Sequence, residues 1–272
     1  MILPFYKYHG SGNDFIIIDN RRNIFNFQGF MKQAAIAGIC HRQYGIGADG
    51  MMIIQPDQKA DFRMEYYNAD GREGSLCGNG SRCAVAFAHQ TDIIKGKKAV
   101  FTAFDGMHNA EITNISQQMY EISVQLNDAS GPKLLSPGKY FIDTGSPHLV
   151  IFNEHLWSIN VNEAGSEIRH STPWNVDGVN VNFGKIVDSQ TLAVRTYERG
   201  VERETLSCGT GATAAAISAY IYNKNLINRY RINTYGGSLD VSFDPPTAGK
   251  DTFTNIWLHG PAQFVYEGSI KL

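Results

Sequence analysis

The chain has 272 residues, room for one large domain or two of medium size, and with 43% hydrophobic and 18% charged residues it falls outside the disordered and low-complexity classes. A formal net charge of −2 gives no basic field for nucleic acid or an anionic membrane, and the short basic run at 95–98 reads as a solvated turn. No apolar run approaches the roughly 18 residues of a membrane span, and the first ten residues lack the charged-then-apolar order of a secretory leader.

In chain order, residues 15–19 read as a strand, and 29–42 have helical spacing, with Met31, Ala34, Ala35 and Gly38 on one side and Ile39 closing it. A glycine loop at 45–50 leads into a strand at 51–54. Residues 61–68 alternate as a strand does and end in the turn sequence Asn68-Ala-Asp-Gly71. A helix opens at Cys77 and runs to about Thr91. Short strands follow at 98–102, 109–113 and 120–125. The polar, turn-rich stretch 127–137 is the expected domain boundary. Further strands are expected at 140–143, 148–152, 180–183 and 192–197. A second helix runs from Cys208 to about Tyr222, and strands at 230–234, 239–243, 254–258 and 264–266 complete the reading.

Two cysteines open glycine-rich turns 131 residues apart: Cys77-Gly-Asn-Gly80 and Cys208-Gly-Thr-Gly211, each followed by an alanine-rich helical run. Other matches fall at or near that offset. Glu73 and Glu204 each lie four residues before their cysteine, Tyr67 and Glu198 each lie ten before, and Gly12 and Gly145 each precede a strand. Several matches at one offset imply duplication, hence two similar α/β domains facing each other across a cleft.

A helix N-terminus carries unpaired N–H groups and about half a positive charge. It therefore lowers a cysteine pKa toward neutrality and binds carboxylates. The pairs Gly78-Asn79 and Gly209-Thr210 fit a carboxylate cradle, and they equally fit plain capping turns. With one thiol on each face of an α-carbon, a thiolate on one side removes a proton while a thiol opposite supplies one, and the configuration inverts. Neither a pyridoxal lysine nor a nucleotide loop is evident, so no cofactor is expected. Cys40-His41 is adjacent rather than ligand-spaced, so no metal site is expected either. Cys40 and Cys83 read as core. Asn13, Asn68 and Asn180 fit turns or strand ends as well as a site. Glu198-Arg199 fits a solvated ion pair, and His148 fits core or site. A thiol switch in a redox or binding protein stays open from the residues alone.

Together His9-Gly-Ser-Gly-Asn13-Asp-Phe15, Asn68-Ala-Asp-Gly71, Cys77-Gly-Asn-Gly80, Tyr197-Glu-Arg-Gly200 and Cys208-Gly-Thr-Gly211 closely resemble the diaminopimelate epimerase family over nearly the whole chain. The resemblance implies an α/β (α+β) fold of two pseudo-symmetric domains, each a curved, mostly antiparallel sheet wrapped around a central helix. The domains would be 1–126 with a returning strand at 262–272, and 127–261. It implies interconversion of LL- and meso-diaminopimelate without pyridoxal phosphate or metal, in a cytoplasmic homodimer on the route to lysine and peptidoglycan. Cys77 and Cys208 match the acid/base pair, assisted by His148 and Glu198. Gly78, Asn79, Gly209 and Thr210 match the α-carboxylate cradle. Asn13, Asn68, Ser146, Asn180, Glu198 and Arg199 match the remaining substrate contacts. Ser146 stands where many members carry Asn, and Gly50 where many carry Gln. Both departures leave room for another amino acid, such as histidine or a proline derivative, as the substrate of a racemase on the same fold.

Overall fold

The computed structural model describes residues 2–224 and 227–272, which form two compact units, Met1–Val124 with Gly260–Leu272 and Gln125–His259. In the first unit the elements are β1 (Ile2–Gly10), β2 (Asn13–Asp19), α1 (Gly29–Cys40), β3 (Gly50–Gln55), β4 (Phe62–Asn68), α2 (Gly78–Gln90), β5 (Lys98–Ala103), β6 (Gly106–Ser116) and β7 (Met119–Gln125). The second begins with β8 (Ala129–Ser130), β9 (Lys133–Ser136), β10 (Lys139–Asp143) and β11 (Pro147–Phe152). It continues through a 3₁₀ turn (Leu156–Ser158), α3 (Val161–His170), β12 (Asn180–Ile186), β13 (Thr191–Glu198), β14 (Arg203–Thr205), α4 (Gly209–Asn223), β15 (Arg229–Thr234) and β16 (Gly237–Asp244). The last strand, β17 (Thr252–Lys271), passes from the second unit into the first.

Strand pairing repeats step for step. From β1 to β7 the neighbours pair antiparallel, parallel, antiparallel, parallel, antiparallel, antiparallel. From β10 through β11, β12, β13, β15 and β16 to β17 the order is the same. Parallel neighbours need a crossover, and each is made by a helix: α1 and α2 in the first unit, α3 and α4 in the second. In the first unit β1 also pairs with β17, from Ile2 with Lys271 to His9 with Gln263, and β17 returns to β7, so the sheet closes on itself.

The second crossover of each unit is its central helix. Gly78 through Ala88 of α2 and Gly209 through Ala219 of α4 are all buried. A helix buried on every side has no solvent face and sits inside its sheet. Small residues make that possible, because Gly, Ala, Ser and Thr let strands approach the backbone closely. Arg82 and Phe87 are the large exceptions in α2, and the rings of Tyr6 and Tyr8 meet Phe87 edge-on at 5.0 and 6.4 Å. The first crossovers lie outside. Ile36, Ile39 and Cys40 of α1 cover Ile16, Ile18, Met51 and Ile53, while Val161 of α3 packs with Leu149, Val181 and Tyr197. Gly165 lets α3 lie against Tyr197, whose Cβ is 2.3 Å from where a side-chain carbon at 165 would stand.

The structure departs from the sequence expectation at several elements, β14 (Arg203–Thr205) and the 3₁₀ turn among them. β1 carries Pro4 and lies where the sequence reading places no strand. Pro4 precedes the segment that pairs with β2, so only one neighbour asks for hydrogen bonds there. α3 was not expected either, yet Asn160 caps it, accepting from the Glu163 N–H at 3.4 Å and donating to its carboxylate at 3.1 Å. The stretch 127–137 carries β8 and β9, paired with β17 and β10. Finally, 254–258 and 264–266 belong to one strand. Pro261 does not break it, because β17 changes partners there, pairing with β16 up to His259 and with β1 from Gln263. No helix among the described residues is long and apolar enough to cross a membrane.

Phe87→Ala should lower the unfolding free energy by about 3–5 kcal/mol, the usual cost of emptying a buried aromatic site, as read from urea denaturation.

Candidate active site

Cys77 is the N-cap of α2, with extended backbone, and its sulfur accepts the Gly80 N–H at 3.4 Å. The sulfur also lies 3.7 Å from Asn13 Oδ1, which accepts from Asn79 Nδ2 at 3.4 Å. Asn13 cannot turn freely, since its amide nitrogen donates to Asp49 Oδ2 at 2.9 Å. Asp49 and Asp14 are both bridged by Arg42, and Lys7 completes the network on Asp14. Burial alone would raise the Asp14 carboxyl, but hydrogen bonds and charge from Arg42 and Lys7 outweigh it and hold it down at about 2. The structure thus gathers Asn13, Cys77 and Asn79 at one helix start and anchors them through β2 and the loop before β3.

Arg82, one turn into α2, is wholly buried and was missed from sequence. Its guanidinium donates to Asn79 Oδ1 at 2.8 Å, Ser11 Oγ at 3.3 Å, Gly78 O at 3.4 Å and Pro261 O at 3.1 Å. Burial among neutral acceptors pushes its pKa down, while a thiolate at Cys77 pulls it up. By reciprocity, the guanidinium favours a thiolate at Cys77. A lone arginine beside Cys83-Ala-Val-Ala-Phe87 was the available signal, for a charge inside an apolar helix is rarely idle.

In the second unit Cys208 caps α4, 3.6 Å from Thr210 Oγ1. Thr210 Oγ1 lies 3.0 Å from His148 Nε2, and His148 Nδ1 lies 3.1 Å from Asn182 Nδ2. The Thr210 carbonyl accepts from Thr144 Oγ1 at 2.9 Å. His148 is fully buried, and burial, aided by the nearby Arg199 charge, lowers its pKa to about 3. Asn180 is joined to Arg199 rather than to the sulfur. Its Oδ1 accepts the Arg199 N–H at 2.9 Å, and its amide nitrogen donates to Pro147 O at 3.2 Å. The Arg199 guanidinium donates to Asp177 O at 3.0 Å, and Glu198 accepts from Thr205 Oγ1 at 2.9 Å. Ser146 is buried two residues before His148, its carbonyl accepting from the Thr144 N–H at 3.1 Å.

Asn68 closes the turn after β4, its backbone N–H donating to Arg72 O at 2.9 Å and its Oδ1 accepting from Tyr66 Oη at 3.3 Å. The same tyrosine explains Gly50, since a side-chain carbon there would stand 2.7 Å from the Tyr66 ring and 2.9 Å from its hydroxyl. All four cysteines are free thiols. Burial pushes the Cys40 thiol up to about 12 and drives Cys83 higher still, so both are packing groups.

Arg82→Lys should cost at least about 2 kcal/mol in urea unfolding, because one ammonium cannot replace a fork that serves four acceptors. A pH effect follows from His148. As pH falls below 6.5 the unfolded chain gains a proton that the folded chain refuses until about 3, so stability should fall with pH in that window, by a few kcal/mol in all. Urea unfolding of the wild type should weaken more between pH 7 and 4.5 than that of His148→Gln, and equal losses would contradict the assignment.

The diaminopimelate epimerase family model matches residues 5–130 and 140–265. Diaminopimelate epimerase of Flavobacterium psychrophilum is 46% identical over 98% of this chain and 100% of its own, and that of Chlorobaculum tepidum is 40% identical over 97% and 99%. Among solved structures, a PhzF-family phenazine biosynthesis protein of Bacillus anthracis superposes with a TM-score of 0.76 at 13% identity, covering 100% of both chains. A hydroxyproline epimerase of Agrobacterium vitis, solved with bound trans-4-hydroxy-L-proline, superposes with a TM-score of 0.70 at 14% identity, covering 100% of this chain and 93% of its own. These likenesses show that the fold is shared with proteins of distant sequence. On sequence, the chain belongs to the diaminopimelate epimerase family.

Proposed function

We propose that the protein interconverts LL- and meso-diaminopimelate by direct proton transfer at one α-carbon, with Cys77 and Cys208 as its two acid/base groups. One observation carries this reading: each repeat caps its buried central helix with a cysteine followed by glycine. A thiolate takes the α-proton, the C–H electrons pass toward the carboxylate, and the other thiol delivers its proton to the opposite face. The thiol and the thiolate have then exchanged places, so the two titrate as a coupled pair. The first-turn N–H groups at Gly78, Asn79, Gly209 and Thr210 receive the α-carboxylate and the charge that develops on it. Asn13, Asn68, Ser146, Asn180, Glu198 and Arg199 serve the rest of the substrate, and His148 and Glu198 support the cysteines. The chemistry asks for no pyridoxal and no metal.

Family likeness supports the rest of the reading. The two epimerase domains comprise 1–126 with 262–272, and 127–261. The protein acts as a cytoplasmic homodimer in lysine and peptidoglycan synthesis.

Incubation with LL-diaminopimelate in D₂O should give the meso form carrying deuterium at the inverted carbon. No meso product and no α-deuterium would sink the proposal. Cys77→Ala and Cys208→Ala should each lower kcat by about 10²–10⁴-fold or more with the circular dichroism spectrum unchanged, and near-native turnover in either would refute the two-base scheme.

A further inference from the structure

Asn182 lies on β12, directly opposite Thr196 of β13. It fixes the direction of a hydrogen-bond chain that ends on Cys208. Its amide nitrogen is 3.0 Å from Leu149 O and 3.1 Å from His148 Nδ1, and its Oδ1 accepts from Thr196 Oγ1 at 2.9 Å. A backbone carbonyl only accepts, so the NH₂ must face Leu149, and the amide has one orientation. The same nitrogen also lies 3.5 Å from Asn180 O, a longer contact than the 3.1 Å to His148 Nδ1. An amide NH₂ offers no lone pair to a ring N–H, so His148 Nδ1 presents its own. In the neutral ring the hydrogen then sits on Nε2, 3.0 Å from Thr210 Oγ1. Thr210 accepts it and can turn its own hydrogen onto the Cys208 sulfur at 3.6 Å.

We infer that Asn182, held by Thr196, is a positioning residue that locks His148 in the neutral Nε2–H form and aims the Thr210 hydroxyl at Cys208. A proton added to Nδ1 would meet the Asn182 N–H head-on, so the lock also keeps the ring uncharged. Asn182, His148, Thr196 and Thr210 are all buried, which strengthens each bond and excludes competing water. The ionisable groups on the chain are His148 and Cys208 themselves, and Arg199, whose charge further disfavours an imidazolium, acts on His148; Glu198 is held by Thr205. Gly211 belongs to the same device. A side-chain carbon there would stand 2.4 Å from Asn182 Oδ1, so glycine lets the first turn of α4 rest over the amide. His148 is therefore a fixed dipole that favours a thiolate at Cys208 rather than a proton carrier. The catalytic consequence rests on the proposed epimerisation, whereas the tautomer and the thiol profile do not.

The test reads both without substrate. Long-range ¹H–¹⁵N correlation on the ¹⁵N-histidine-labelled full chain should show His148 as the Nε2–H tautomer, unchanged from pH 5.5 to 8.5. Iodoacetamide labelling followed by peptide mass spectrometry should give a pH midpoint for each cysteine. In Asn182→Leu the midpoint of Cys208 should rise by about one pH unit, with that of Cys77 unmoved. Its kcat should fall by about 10–100-fold with little change in KM. The isosteric Thr196→Val should show a smaller shift of the same sign, which keeps the test available if Asn182→Leu fails to fold. An Nδ1–H ring or an imidazolium in the wild type, or a Cys208 midpoint that neither variant moves, would overturn the inference. A locked tautomer in a wild-type protein that leaves diaminopimelate unchanged would instead overturn the proposed function alone.

Discussion

The constraint on which everything else depends is the burial of two helix N-termini. Each unit threads its second crossover helix through the inside of its own sheet. The first-turn N–H groups of those helices have no acceptor within the helix. Something must meet that partial positive charge. In both units a cysteine sits at the cap, where the unmet N–H groups favour its ionised form. Reactivity thus follows from a packing solution rather than being added to one. The small residues that let the helix fit inside also leave space beside its first turn.

The two thiols are supported by different means. Around Cys77 the support is ionic. A buried guanidinium acts on the sulfur from one turn along the helix, while Asn13 is held by a carboxylate that Arg42 neutralises. Around Cys208 the support is a file of neutral dipoles through Thr210, His148, Asn182 and Thr196. Duplication supplied the same backbone twice, and the side chains then diverged.

Much of this was legible in the sequence because it is local. Cysteine-glycine caps, alanine-rich helices and a recurring offset all lie along a few residues of chain, and the motifs of one family lie on them. What escaped depends on register and on distant partners. Asn182 is a second polar residue in a short strand, and only its pairing with Thr196 and its parallel neighbour β11 make it part of a site. Arg82 was visible as a charge in an apolar run, but its acceptors come from the loop after β1 and from Pro261, 179 residues away. The sequence reading divides β17 into two strands, 254–258 and 264–266, and the exchange of partners that carries one strand through Pro261 is a property of the sheet.

That exchange sets the order of folding. β1 finds one of its two neighbours only in residues 263–271. The sheet of the first unit therefore stays open while the whole second unit is being synthesised. Residues 125–259, by contrast, form a unit that is continuous in sequence. On a ribosome the downstream unit can finish first, and the upstream one waits with a row of unpaired backbone groups exposed. Loss of the last dozen residues would leave Cys77 intact in sequence and strip one wall from the sheet that surrounds its helix.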